Sequence, residues 1–244
     1  MNFRDQGIII SKKPLKERSY IVTIFTETHG IYSGVLNQYT KKTGDSLAEG
    51  NLVDFFWNAR LHEHIGSVKA ELIKSYNSHL LMNKTKLYAF NSITSILKLA
   101  FCERAPHNNL FPSLLAFMES LKQEFSFFEY IRLELEILAE AGYKLQLDRC
   151  AATGLTEDLH YVSPKSGCAV SKTAGAPYSD KLLILPKFLA GCAMEQAAIA
   201  DALKLTSYFL NRYILADNGA PQARLQFTEH VIPNPTIVKT VSLL

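Results

Sequence analysis

The chain has 244 residues, 48% of them hydrophobic, and a formal net charge of only +3. That length supports one large or two small domains with ample core, and so small a net charge means that a polyanion would have to be held by local clusters of Lys and Arg. No window is long and apolar enough to cross a bilayer, and the apolar run in MNFRDQGIII is too short for a secretion signal.

Cys102, Cys150, Cys168 and Cys192 are widely spaced without a C-x-x-C pair, which points to reduced thiols in a cytoplasmic protein. The basic excess falls in residues 1–80 and 149–244, with residues 81–148 close to neutral.

Gly7 to Ser11 reads as a first short strand, ended by Lys12-Lys13-Pro14. Tyr20 to Thr26 is almost wholly β-branched or aromatic, Thr28-His29-Gly30 supplies a turn, and Ile31 to Asn37 resumes the apolar run. Gly34 in the middle of that strand predicts a bulge or sharp bend. Lys41 and Lys42 follow just beyond the strand end, before a polar, turn-rich loop to Gly50. Val53, Phe55, Trp57 and Ala59 then alternate with Asp54, Asn58 and Arg60, the mark of a half-buried strand. Ser67 to Tyr76 repeats the pattern with Val68, Ala70 and Leu72. Five short strands without a long intervening helix predict a small closed barrel of the OB type over residues 1–79.

From Leu80 the hydrophobic period changes to that of a helix, through Leu87, Phe90, Ile93, Leu97 and Phe101. Pro112 opens a second helix, with Leu114, Leu115, Met118 and Leu121 on its apolar face. Phe128 to Ala141 is a third, ended by Gly142, with Ile131, Leu135 and Leu138 inward and Glu129, Glu134, Glu136 and Glu140 mainly solvated. Residues 143–185 are rich in Gly, Pro, Ser and Thr and read as irregular, with one short hairpin around His160-Tyr161-Val162. A loop of that length inside a compact domain needs either a staple or a function. Helicity returns from Pro186 to Ala190 and from Met194 to Leu215. The final HVIPNPTIVKTVSLL is apolar enough to be expected to dock on the body. The fold class is therefore α+β: a barrel at 1–79, then a mostly helical domain at 80–244 that carries the irregular segment.

In this order, the parts resemble the RecO family of DNA repair proteins. GIIIS with KERSYIVTIFTETHGIYSGV resembles the family's opening, LAEGNLVDFFWNARLHEHIG its fourth-strand segment and LEILAEAGYKLQLDRC its helix-to-loop junction. YVSPKSG resembles its middle signature and SYFLNRYIL its C-terminal helix. The resemblance implies an N-terminal OB domain, a helical domain and a recombination mediator without enzymatic activity. It further implies binding of single- and double-stranded DNA, strand annealing, contact with RecR, and engagement of the acidic C-terminal tail of single-strand-binding protein to help load the recombinase. Many members staple the irregular segment with four zinc-binding cysteines. Here Cys150-Ala151-Ala152-Thr153 and Ser171-Lys172-Thr173-Ala174 leave one ligand of four, so no zinc is expected.

Lys12, Lys13, Lys16, Arg18, Lys41, Lys42 and Arg60 all lie on strands or loops of one small barrel, and together with the resemblance they are the expected DNA contacts. Tyr20, Tyr32 and Tyr39 are candidate stacking platforms. His62-x-His64 lacks a third ligand and reads as surface histidine. Arg132 sits beside aromatic residues in an otherwise acidic helix. The resemblance associates this position, with Phe128 and Leu135 around it, with the groove for the partner's acidic tail; an ion pair with Glu129 or Glu136 is the competing reading. A different class, a hydrolase or transferase using 143–185 as a lid, finds no Gly-rich phosphate loop, nucleophile elbow or carboxylate–histidine spacing to support it.

Overall fold

A computed structural model describes residues 1–37, 47–61, 64–190, 197–217 and 219–232. The chain divides into two compact units, 1–123 and 124–244. The change of hydrophobic period at 79/80 thus falls inside the first unit, because the helices that follow it pack with the barrel.

The first unit is built on a closed barrel in the order β1-β2-β3-β5-β4. Its strands are β1 (Asn2–Lys16), β2 (Ser19–Thr26), β3 (Ile31–Asn37), β4 (Leu52–Asn58) and β5 (Gly66–Lys74). β1 is longer than the five residues expected, running straight through Lys12-Lys13-Pro14. Pro14 is accommodated near the strand end, where the register shifts before Lys16. A second shift between Ile9 and Ser11 bends β1 and buries Ile8, Ile9 and Ile10 in succession. Ile9 enters the barrel core, among Val22, Ile24, Tyr32, Leu36, Val53, Phe55, Trp57 and Val68. Trp57 is 0% exposed and donates its indole N–H to the Ser33 carbonyl at 3.0 Å. The alternation expected along β4 is present, with Val53, Phe55, Trp57 and Ala59 all buried.

Gly34 makes no bulge. Its pairing with Val22 on β2 and Gly66 on β5 is regular, and the residue is small for a different reason. A Cβ at Gly34 would lie 2.6 Å from Val68 Cγ2, and one at Gly66 would lie 2.2 Å from the Trp57 ring. The barrel closes across this glycine pair because the indole fills the space inside it.

Asp5 ties β1 to the β2–β3 turn. Its Oδ2 accepts from the Thr28 N–H (3.1 Å) and Oγ1 (2.9 Å) and lies 2.7 Å from His29 Nδ1, while Oδ1 accepts from the Gln6 N–H at 2.8 Å. The His29 ring stacks on Phe3, with centroids 4.0 Å apart. Burial pushes the Asp5 carboxyl up, but these donors more than offset it and hold its pKa below the usual range. A depressed carboxyl stabilises the fold fully above its unfolded pKa of about 3.9, and loses that effect as pH falls through the lower folded value. Asp5→Asn is expected to cost about 1–3 kcal/mol at neutral pH and to flatten stability below about pH 4. Fluorescence of Trp57, the single tryptophan, reads this directly.

Helices α1 (Asn77–Leu81), α2 (Lys84–Ala100) and α3 (Leu110–Ser120) complete the unit. The helix expected from Leu80 onward begins at Lys84, because Asn83 caps it by accepting from the Thr85 and Lys86 N–H groups at 2.9 and 3.2 Å. Phe25 of β2 stacks on Phe111 of α3 at 6.5 Å.

The second unit begins with α4 (Phe127–Glu140), capped by the Ser126 side chain accepting from the Glu129 N–H. Gly142 follows at φ +92°, as a C′ glycine should. Residues 143–185 are more ordered than expected. β6 (Leu159–Val162), β7 (Ala169–Ser171) and β8 (Leu183–Ile184) form a three-stranded sheet in the order β7-β6-β8. The short α5 (Lys172–Gly175) and 3-10 turns at Ala176–Lys181 and Lys187–Ala190 join them to α6 (Ala197–Tyr213). A last helix, α7 (Gln222–Val231), was not legible as one. The terminal apolar stretch from 233 onward lies outside the described residues.

Glu134 corrects the sequence reading. It is not solvated but 0% exposed, in bidentate contact with Arg224 of α7: Nε to Oε1 at 2.8 Å and Nη2 to Oε2 at 3.1 Å. Tyr130 Oη donates to the same carboxylate at 2.7 Å, and Arg224 also donates to Ser207 Oγ and Thr206 Oγ1. Burial pulls the guanidinium pKa down, but the Glu134 charge prevails and raises it.

Candidate nucleic-acid interface

Among the described residues, the predicted basic contacts of the barrel divide between its two ends. Lys12, Lys13 and Lys16 occupy the far end of β1, and Arg18 sits in the turn to β2. Lys13, Lys16 and Arg18 are exposed, and among the described residues no carboxylate pairs with any of the three. Lys12 is partly buried, with its Nζ 4.5 Å from the centre of the Tyr20 ring. Arg60 is exposed at the opposite end, just after β4, where Met1 and Ala59 exchange backbone hydrogen bonds. The structure therefore does not gather these cations into one cluster. It puts Lys12, Lys13, Lys16 and Arg18 at the β1–β2 hairpin end and Arg60 in the β4–β5 loop, with β2 and β3 between, and these are the loops and strands with which OB barrels hold oligonucleotides. Lys41, Lys42, Tyr39 and His62 lie outside the described residues.

The β2–β3 surface carries no stacking platform among the described residues. Tyr32 is 5% exposed within the core, edge-on to Trp57, and Tyr20 also packs inward. Their alternation partners face outward: Ser19, Ile21 and Thr23 on β2, Ser33, Val35 and Asn37 on β3. Hydroxyl and amide pairs bind this face together, Thr23 Oγ1 to Ser33 Oγ at 3.0 Å and Ser19 Oγ to Asn37 Oδ1 at 2.7 Å. Such a surface offers donors to phosphates and little to bases.

Sequence reading passed over Arg104, which reaches the β4–β5 loop from the α2–α3 connection. Its N–H donates to the Ile31 carbonyl at 2.8 Å and its Nη2 to the His64 carbonyl at 3.2 Å. Its guanidinium carbon lies 5.7 Å from the centres of both Tyr32 and Trp57. The residue adopts φ +67°, uncommon for a side chain this large. That backbone strain was the one signal available, and it is invisible without coordinates.

In the second unit Phe128, Arg132 and Leu135 fall at i, i+4 and i+7 on α4, and so share one face. Phe128 is 38% exposed and meets Phe188 edge-on at 6.2 Å. Leu135 is half-buried on this face and does not belong to the fully buried stripe with Ile131 and Leu138. Arg132 is 40% exposed, with Nη2 2.7 Å from Glu129 Oε2 and Nε 3.7 Å from Glu136 Oε1. Both intrahelical ion pairs are formed, so an incoming carboxylate would have to displace them. Each is worth only a few tenths of a kcal/mol.

The four positions of the family's zinc site do not fit a metal. Cys150 is buried; its Sγ accepts from the Ser171 N–H at 3.2 Å and donates to Ser171 Oγ at 3.5 Å. Burial pushes the thiol pKa up, but the Thr153 and Ser171 donors outweigh it and bring it down to about 6. Hydroxyls and a methyl group stand where three thiolates would be needed, and no group of three or more metal-ligating side chains occurs among the described residues. The β7-β6-β8 sheet holds the segment instead, joined by the two Cys150–Ser171 hydrogen bonds and by the Gln146–Cys168 bridge.

A trough of about 1050 Å³ in the same unit is lined by Lys144, Gln146, Asp148, Arg149, Thr156 and Leu189. No helix among the described residues is long and apolar enough to cross a membrane.

Two family models match nearly the whole chain: Recombination protein O N terminal over residues 1–76 and Recombination protein O C terminal over residues 83–219. The chain is similar to curated proteins named DNA repair protein RecO. It is 52% identical to that of Rickettsia akari, with 95% of this chain and 99% of the relative covered. For Rickettsia felis the identity is 50%, covering 96% and 100%, and for Rickettsia bellii it is 49%, covering 97% and 99%.

Proposed function

This chain belongs to the RecO family of DNA repair proteins, and from that premise we propose that it is a non-enzymatic mediator of recombination acting in the cytoplasm. It binds single- and double-stranded DNA through the barrel, anneals complementary strands, and helps load the recombinase onto DNA coated by single-strand-binding protein, with RecR as a partner. The observation that carries this reading is the placing of exposed cations at the two ends that flank the β2–β3 face, Lys13, Lys16 and Arg18 at the β1–β2 hairpin end and Arg60 just after β4. With Tyr20 and Tyr32 turned inward, phosphate contact dominates over base stacking. That grip suits single strands and duplex alike, as annealing requires. Neutralising Lys16 and Arg18 together is expected to weaken DNA binding, read by fluorescence anisotropy, without shifting the melting temperature. Parent-like affinity would remove the β1–β2 loop from the site.

The α4 face is the seat for the acidic tail of single-strand-binding protein. Arg132 exchanges Glu129 for the terminal carboxylate, while Phe128 and Leu135 meet apolar side chains of the tail. A charge-assisted bond of about 1.5–3 kcal/mol makes Arg132→Ala weaken tail-peptide binding by roughly one to two decades. DNA affinity should hardly change. Unchanged peptide affinity would reduce Arg132 to an intrahelical ion pair.

A further inference from the structure

We propose that the outward face of α2 is a second track for nucleic-acid phosphates, continuous with the basic end of β1. It rests on the barrel reading above and extends it onto the helices of the same unit. The helix, KTKLYAFNSITSILKLA, carries Lys84, Lys86 and Lys98 and not one carboxylate. Lys84 and Lys86 occupy its first turn, where the positive end of the helix dipole disfavours cations. Lys86 donates to the Gln123 carbonyl, and the Lys84 ammonium lies 5.3 Å from the centre of the Tyr88 ring, which groups those two side chains.

Lys84, Tyr88, Asn91, Ser95 and Lys98 follow one another at spacings of four and three, so they line a single stripe. Both lysines at its ends are exposed, and the three residues between are partly exposed. Thr85, Phe90, Ile93, Ile96 and Leu97 fill the buried side. An ammonium, a phenol, an amide, a hydroxyl and a second ammonium are the groups that contact phosphate and sugar. From Lys84 to Lys98 the stripe runs about 21 Å at 1.5 Å per residue, roughly six phosphate spacings of one strand.

Glu49 links the stripe to the barrel. Its carboxylate accepts the Lys12 N–H at 2.7 Å and its charge also reaches Lys98. The Lys98 ammonium has its pKa held down by burial; Glu49 raises it, and the like charge of Lys13 lowers it further. Glu49 thus joins the Lys12 end of β1 to the Lys98 end of the stripe.

The test uses the full chain and labelled duplexes of about 12 and 30 base pairs, titrated between 50 and 200 mM salt. One variant is Lys84→Gln with Lys98→Gln on the helix; the other is Lys13→Gln with Lys16→Gln on the barrel. The helix variant is expected to bind the long duplex about ten-fold more weakly at 50 mM salt. Its log–log salt slope should be shallower by roughly two units, and its short-duplex affinity near that of the parent. The barrel variant should weaken on both lengths. Should the helix pair lower the melting temperature, Lys84→Gln alone carries the test, with a slope change of roughly one unit. Removing Lys84 relieves an unfavourable charge at the helix N-terminus and loses one contact with the Tyr88 ring, two small and opposed effects on α2. Parent-like behaviour of the helix variant beside a weakened barrel variant overturns the inference and spares the barrel reading. Two parent-like variants overturn both. Intact DNA binding with lost affinity for an acidic peptide would give the face to a protein partner and likewise overturn the inference.

Discussion

Arg224→Met is expected to destabilise the second unit by about 3–5 kcal/mol, the largest effect of any single change considered. Arg224 and Glu134 are 2% and 0% exposed, so deleting the guanidinium strands a carboxylate where water cannot reach it. Tyr130 supplies one donor to that carboxylate, too little to replace two from Arg224. The loss should appear in urea unfolding followed by far-UV circular dichroism. The double change Glu134→Leu with Arg224→Met should recover most of it, since removing both charges leaves no buried ion. If the double variant is as unstable as the single one, packing of the arginine stem outweighs the charge.

Gly30→Ala should cost the barrel about 2–5 kcal/mol. Gly30 sits at φ +81°, and a Cβ there would stand 1.8 Å from the Ala105 carbonyl oxygen. The left-handed backbone accounts for about 1–2 kcal/mol; the rest is displacement of backbone that cannot rotate away, at about 1–3 kcal/mol. The 103–105 segment would have to lift from β3, breaking the Arg104 N–H bond to Ile31 and the contact between Ser33 and Glu103. Gly142→Ala is the internal control. At φ +92° with nothing within 4 Å, it should show the backbone effect alone. Equal losses in the two variants would mean that the 103–105 segment yields at little cost.

The barrel was legible because its signals are local. Alternation along β4 and the turn at Thr28-His29-Gly30 each need only a few neighbouring residues. What escaped depends on partners distant in sequence. Glu134 reads as one of four solvated glutamates until Arg224, 90 residues away, is seen beside it. Gly34 suggested a bulge because nothing local says that Gly66 and the Trp57 ring converge on it. Tyr32 looked like a stacking platform because aromatic residues at strand positions read alike whether they face in or out. The barrel cations were visible as charges. Their division between the two ends of the barrel came only from the register that sends Arg60 to the start of β1 and Lys16 to its end.

The central claim, that this protein grips nucleic acid by its phosphates through the barrel, is tested most directly by the salt dependence of DNA affinity. The parent chain and a Lys13/Lys16/Arg18/Arg60 variant with all four positions changed to glutamine should be titrated with one duplex and one single strand of equal length. Both ligands should bind the parent with steep negative slopes of log affinity against log salt. The variant should bind weakly, with its slope reduced by roughly three to four units on duplex and somewhat less on the single strand. A variant that keeps the parent's slope on both ligands while remaining folded by Trp57 fluorescence would contradict the claim and move the nucleic acid off the barrel.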